Sequence, residues 1–165
     1  MRRLKSLALL FLVVVACAPS SPAKRRPSRI EVEAGRFIPG YGFSIDAGYD
    51  PRFDNLIPGY KLLTVVIRNT SLSVIDADAK RDRWVVVDVK GKRYSAINSL
   101  KYKDRPLWRD LPEKLKGLID YPEEIPISYT VTFDLLFPRS LDLRDFQAVH
   151  YKNAAWGQEF IVTKE

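Results

Sequence analysis

The sequence predicts an all-β chain: an antiparallel sandwich with one short helix in a long connection. Apolar and polar residues alternate with a period of two through one segment after another. Clusters of Gly, Asn, Asp and Ser divide those segments at turn spacing. A helical period occurs once, inside residues 97–127. About six or seven short strands with little helix suit two packed sheets better than an α/β layer.

Taken in order, Ile30, Val32 and Ala34 alternate with Glu31 and Glu33 and form a half-buried first strand. Residues 60–69 put Leu63, Val65 and Ile67 on one face and end in the turn cluster Asn69-Thr70-Ser71. Residues 84–89 are a β-rich run. Gly91, between Lys90 and Lys92, permits a tight turn back through residues 93–96, a hairpin. Residues 128–135 are the clearest strand, with Tyr129, Val131, Phe133 and Leu135 inward and Ser128, Thr130, Thr132 and Asp134 outward. Residues 146–151 and 158–163 supply two more, and alternation gives His150 the same face as Phe146 and Ala148. In the 97–127 connection Asp110 is placed to cap a helix, with Pro112 early and Glu113 three after the cap. Leu111, Leu115, Leu118 and Ile119 then share a face, and Gly117 keeps the helix short.

The chain has 165 residues, enough for one core. Its net charge of +7 is unevenly placed. Arg2, Arg3, Lys5, Lys24, Arg25, Arg26 and Arg29 precede residue 30, and residues 30–165 carry equal numbers of cations and anions. A neutral domain lacks the electrostatic footprint of a nucleic-acid binder. A single Cys excludes an internal disulfide. One His, and one Met at the first position, leave no Cys/His zinc site and no Met-rich copper site. No cofactor is expected.

Residues 1–5 are basic and residues 7–16 form an unbroken apolar run. Ten residues are too few to span about 30 Å of hydrocarbon, which takes about 20, but they fit the core of a secretory signal. The run ends Val14-Val15-Ala16-Cys17, which resembles the lipobox of a bacterial lipoprotein signal. That resemblance implies removal of residues 1–16 and lipid attachment at Cys17, on sulfur and on the new amine. Two or three acyl chains hold a protein stably at a membrane. Residues 17–29, the lipidated Cys and a basic Pro/Ser stretch, are expected to be a disordered tether ahead of a domain at 30–165. The tether cations are either solvated or laid on anionic headgroups. Non-Asp position 18 resembles the pattern of lipoproteins sent to the outer membrane of a Gram-negative cell, facing the periplasm.

The domain carries a weaker resemblance. Arg-Asn-Thr-Ser at 68–71 closes one strand, Asp-Val-Lys-Gly-Lys-Arg-Tyr at 88–94 forms a hairpin turn, and Pro/Glu-rich residues 121–126 lead into Tyr-Thr-Val-Thr-Phe-Asp at 129–134. Over roughly residues 58–163 this is similar to the Ig-like domains of uncharacterised bacterial lipoproteins and secreted antigens. The long 97–127 connection and the 35–59 segment depart from that pattern, which carries no catalytic residues.

Several groups are candidates for function. Residues 35–60 place Tyr41 and Tyr49 among glycines, where rings can present flat faces to sugars or peptides; the preferred alternative is that they plug the end of the sandwich. Asp46, Asp50 and Asp54, and Asp76, Asp78 and Asp82, are carboxylate types that calcium uses, but the second set lacks the loop Gly and Glu of an EF-hand and reads as a solvated turn. His150 is the only imidazole, without a neighbouring nucleophile in sequence. Glu123 and Glu124 are adjacent, hence on opposite faces of an extended chain. In the 97–127 connection Tyr102, Trp108 and Tyr121 are interleaved with Lys101, Lys103, Arg105 and Arg109. Aromatic and Arg side chains dominate interface energetics, and Tyr102, Arg105, Trp108, Arg109 and Tyr121 are partner-binding candidates. The competing reading has Trp108 and the leucines covering an open sheet edge. The function these features favour is a membrane-anchored, non-enzymatic binding module of the cell envelope, with membrane lipid through Cys17 and an envelope protein or peptidoglycan as partners. A structural subunit of an envelope or secretion assembly is the second class, and a hydrolase using carboxylates or His150 the remote third.

Overall fold

Two sheets enclose one apolar core in the computed structural model, which describes residues 29–164. The signal segment, Cys17 and the tether as far as residue 28 lie outside the described residues. The chain begins with β1 (Arg29–Glu33) and β2 (Phe43–Gly48), then a single 3-10 turn at Pro51–Phe53. β3 (Tyr60–Asn69), the two-residue β4 (Ile75–Asp76), β5 (Arg83–Asp88) and β6 (Arg93–Ser95) follow. Three short helices come next: α1 (Leu100–Lys103), α2 (Arg105–Asp110) and α3 (Glu113–Ile119). The two-residue β7 (Glu124–Ile125), β8 (Thr130–Pro138), β9 (Phe146–Lys152) and β10 (Glu159–Thr163) complete the order.

The larger sheet runs β1-β10-β9-β5-β6 and the smaller β2-β3-β8, while β4 and β7 pair alone. The fold is all-β, and every pairing but one is antiparallel. β1 lies parallel to β10, Arg29 opposite Glu159 and Glu33 opposite Thr163. No hairpin joins these two strands, so no tight turn imposes an antiparallel direction on them. Arg29, which the sequence reading assigns to the tether, is the first residue of β1.

The alternation expected for β3 holds. Leu63, Val65 and Ile67 are buried and meet Phe43 and Ile45 of β2 and Phe133 and Leu135 of β8. Across the core stand Trp84 and Val86 of β5, Val149 and Tyr151 of β9, and Phe160 and Val162 of β10. Trp84 stacks on Tyr151 with ring centres 4.1 Å apart. Gly91 turns the β5–β6 hairpin with φ +76°, a conformation that costs glycine no Cβ clash.

The smaller sheet also buries part of its other face. Leu62 and Leu136, register partners on β3 and β8, form a second cluster with Ile57, Leu100, Leu111 and Ile119, against which Leu107, Trp108 and Leu115 pack. The helical connection thus covers a sheet face, where the sequence suggested an edge.

Five local expectations are corrected. One helix was expected and three form: Asp110 ends α2 instead of capping, and Asp104 caps α2 through the Leu107 N–H. Leu111 is extended and outside α3, which shifts the helical phase and leaves Leu118 exposed. Tyr129 is exposed, because Ser128 takes a left-handed φ of +65° and β8 starts only at Thr130. Asp134 faces away from the main core as expected but is 9% exposed, accepting from the Thr64 hydroxyl at 2.6 Å. Finally, Val87 pairs with Ala148 and Asp88 with Phe146, so Gln147 is an extra, bulged residue. The bulge turns Phe146 into the core and separates it from His150.

Candidate functional site

A buried carboxylate organises the side of the domain where β5 begins. Asp82 is 4% exposed, in phase with the inward residues Trp84 and Val86. The sequence placed it in a solvated turn; the parity of Asp82 with Trp84 was the signal that it points inward. Its Oδ2 accepts from the Tyr121 hydroxyl at 2.9 Å, the Tyr151 hydroxyl at 3.2 Å and the Asp78 N–H at 3.1 Å. Its Oδ1 accepts from the Ala154 N–H at 2.8 Å. A buried carboxylate is tolerable when donors saturate it in this way. Tyr121 in turn accepts from the Trp84 indole at 2.8 Å, and Asn153 donates to Tyr151 at 2.8 Å and to the Asp76 carbonyl at 2.9 Å. Burial, then the neighbouring Tyr151 and Asp82 oxygens, push the Tyr121 hydroxyl far above its ordinary 10.0. Burial and Asp82 do the same to Tyr151. Both stay protonated donors.

This network ties together the 77–82 turn, the start of β5, the chain after α3 and the β9–β10 turn. Between the first of these, α1 and residues 120–123 lies a cleft of 640 Å³. Its walls carry Asp78, Asp120 and Glu123 against Lys80 and Lys101, with Ser99 and the Tyr102 ring. Tyr102 is 51% exposed and the Lys80 ammonium lies 4.4 Å from its ring centre. A second depression of 630 Å³ shares Ala79, Lys80, Ser99 and Tyr102 and continues past Asn98 to Pro138. Asn98 donates to the carbonyls of Ala79 and Asp82, fixing the turn from below, while its Oδ1 is buried without a hydrogen-bond partner. The arrangement offers charges of both signs, hydroxyls and one aromatic face on a braced support, which suits a polar, saccharide-like or zwitterionic ligand.

The candidates are thus separated. Tyr102 and Tyr121 meet at the cleft, Tyr121 as a buried strut. Trp108 is half-buried in the second cluster, and Arg105 and Arg109 are exposed on α2 away from the cleft lining. Tyr41 packs edge-on against Phe43 and Phe160 and donates to Gln158. Tyr49 donates to both Asp54 oxygens at 2.7 and 2.8 Å, and burial followed by that hydrogen bond pushes it up to about 12. Both rings fill space at the ends of the sheets. Asp50 is turned back onto Arg52, and Asp78 onto Arg81. Among the described residues no three His, Cys, Asp or Glu side chains converge as a metal site would require.

His150 lies on the outer face of the larger sheet, its Nδ1 2.9 Å from Glu159 Oε1. Arg29 Nε reaches the other oxygen at 2.8 Å and Arg93 approaches at 3.4 Å. The His150 hydrogen bond, then Arg29, hold the Glu159 carboxyl below its ordinary range. The sequence reading missed this cluster because its four members come from β1, β6, β9 and β10 and meet only through the sheet order.

The class these features define is an all-β domain with one helix-shielded sheet face and a polar cleft at its side. Among the described residues no helix is long and apolar enough to cross a membrane. Comparison with protein-family models, with curated proteins and with solved structures gives no match.

Proposed function

We propose that the protein is a lipid-anchored lipoprotein of a bacterial envelope whose domain, an Ig-like sandwich, works without chemistry by binding a partner in the cleft beside Tyr102. The observation that carries this reading is the half-exposed Tyr102 ring on the wall of a cleft whose opposite side, Tyr121, is braced by Asp82. A braced wall in the same cleft as an exposed aromatic lowers the entropic cost of binding. The lipobox residues Val14–Cys17 support the anchor, and the two-sheet core with its β5–β6 hairpin supports the Ig-like assignment. Glycan chains bearing short peptides, as in peptidoglycan, match the mixture of carboxylates, ammonium groups and one ring.

Co-sedimentation of the detergent-purified full chain with peptidoglycan sacculi tests this. Retention of the wild type, reduced at least tenfold by Tyr102→Ala and unchanged by Arg105→Ala/Arg109→Ala, is the expected pattern. Equal retention of wild type and Tyr102→Ala would remove the cleft from the reading, and absence of retention would remove the polymer as its partner.

A further inference from the structure

We propose that the end of the domain at which β1 begins is a membrane-docking surface, seated on an anionic lipid bilayer by Leu72, Val74, Ile127, Tyr129 and Trp156. This rests on the reading of Cys17 as a lipid anchor, and extends it from a tether to a fixed orientation of the domain.

The five residues belong to three turns that hydrogen bonds join into one end. The Thr70 N–H donates to the Gly42 carbonyl at 2.8 Å, and the Asn69 N–H to the Tyr129 carbonyl at 2.9 Å. The Asn69 side chain donates to the Ser73 and Ile125 carbonyls, and its Oδ1 accepts from the Ser71 N–H and hydroxyl. Trp156 closes the group, its ring 5.4 Å from Phe43 and 5.5 Å from Tyr41. β1 starts at this same end, since Arg29 is the register partner of Glu159, the first residue of β10.

What these turns hold outward is apolar. Leu72 is 94% exposed and Tyr129 63%, and Val74, Ile127 and Trp156 each expose about two-fifths of their surface. The Asn69-bound turn presents Leu72, and the left-handed Ser128 turns Tyr129 outward, so the exposure belongs to the backbone. Clustered exposed apolar side chains mark an interaction surface. Trp and Tyr beside Leu, Ile and Val is the composition of a bilayer interface, with amphipathic rings at headgroup depth and aliphatic chains below. Arg68, Arg83 and Lys152 stand next to these turns on both sheets, exposed and without a carboxylate partner among the described residues. The exposed acids Asp76, Glu123 and Glu124 lie where β4 pairs with β7, beside these turns.

The covalent geometry of the chain selects lipid as the occupant. Cys17 and Arg29 are twelve positions apart in sequence, and a chain of about twelve residues reaches at most about 40 Å. An acylated Cys17 therefore ties the bilayer to the domain at this end, where β1 begins.

The test uses the full chain from a bacterial host, reconstituted into phosphatidylethanolamine–phosphatidylglycerol vesicles with acyl chains brominated at mid-length. Bromine quenches nearby indoles, and the chain has three Trp. Emission of the wild type should fall at least twofold more than that of Trp156→Phe, and Leu72→Glu/Tyr129→Glu should abolish the difference while the protein still floats with the vesicles. Flotation without bromine-dependent loss at Trp156 overturns the docking and leaves the anchor standing. Flotation unchanged by Cys17→Ala overturns the anchor, and the docking is then judged by the Trp156 quenching alone. A protein that never floats overturns both. Shielding of Trp156 that grows with protein concentration and ignores bromine assigns this end to a second copy, against the proposal.

Discussion

Tyr121 spans the gap between Trp84 and Asp82, accepting from the indole at 2.8 Å and donating to the carboxylate at 2.9 Å. One hydroxyl therefore satisfies a buried donor and a buried acceptor on opposite sides of it. Removing it in Tyr121→Phe strands the Trp84 N–H while Asp82 keeps three donors. The expected loss is about 1–3 kcal/mol, the desolvation cost of one unpaired polar group. Asp82→Ala strands two hydroxyls and two backbone N–H groups and should cost more than Tyr121→Phe. Urea denaturation of the two variants checks the order, and an equal or reversed ranking would dismiss the network as a stabilising unit.

Phe133 is 3% exposed and packs edge-on against Tyr121 at 5.1 Å and Trp84 at 6.0 Å. Phe133→Ala should cost about 3–5 kcal/mol. Thr132→Ala, on the exposed face of the same strand, should cost well under about 1 kcal/mol. Equal costs in chemical denaturation would contradict the register of β8 against β3.

Gly42 has φ +69°, and a Cβ there would meet Ser71 Cα at 3.0 Å. Gly40 has φ +80° and open space around it. Both Ala variants bear a left-handed strain of about 1–2 kcal/mol, but only Gly42→Ala must also push the 70–74 turn away. Its melting temperature should be the lower of the two by several degrees.

Asp134 gives a pH dependence of definite sign. Burial raises its pKa above the ordinary 3.8, partly offset by the Thr64 hydroxyl. A raised acid is favoured in its protonated form by folding, so its contribution is fully present below the unfolded pKa and is lost as pH rises through the folded one. Asp134→Asn keeps an acceptor for Thr64 without the charge. It should therefore melt higher than wild type at pH 7, with the gap shrinking as pH falls through the carboxylate range. A variant less stable than wild type at pH 7 would contradict the assignment.

The sequence alone located β3 to the residue, the β5–β6 hairpin and the last two strands, because β3 carries an apolar face up to a turn cluster and the others are β-rich runs bounded by turn residues. It missed β2, where Phe43 and Ile45 alternate with polar residues for too short a stretch to stand out among the surrounding glycines. It missed β4 and β7 because two-residue strands carry no period. Of the site, Tyr102 and Tyr121 were legible as residue types, but their different roles were not. Burial of Tyr121 goes with its hydrogen bond to Asp82, which the charged neighbours Lys80 and Arg81 disguised as part of a surface turn, while Tyr102 is exposed on α1. Asp134 was misjudged for a similar reason: alternation assigns a face, and only the three-dimensional arrangement shows whether that face is wet.

The parallel pairing of β1 with β10 has a mechanical consequence. Their five register pairs run from Arg29–Glu159 to Glu33–Thr163, and the pulling point of a membrane-held chain would be the Arg29 end. A tug there, opposed at the far end of β10, slides the two strands along each other instead of peeling them apart. All five pairs and the Arg29–Glu159 ion pair then resist together. The β1–β10 pairing is thus arranged to resist a pull applied through Arg29.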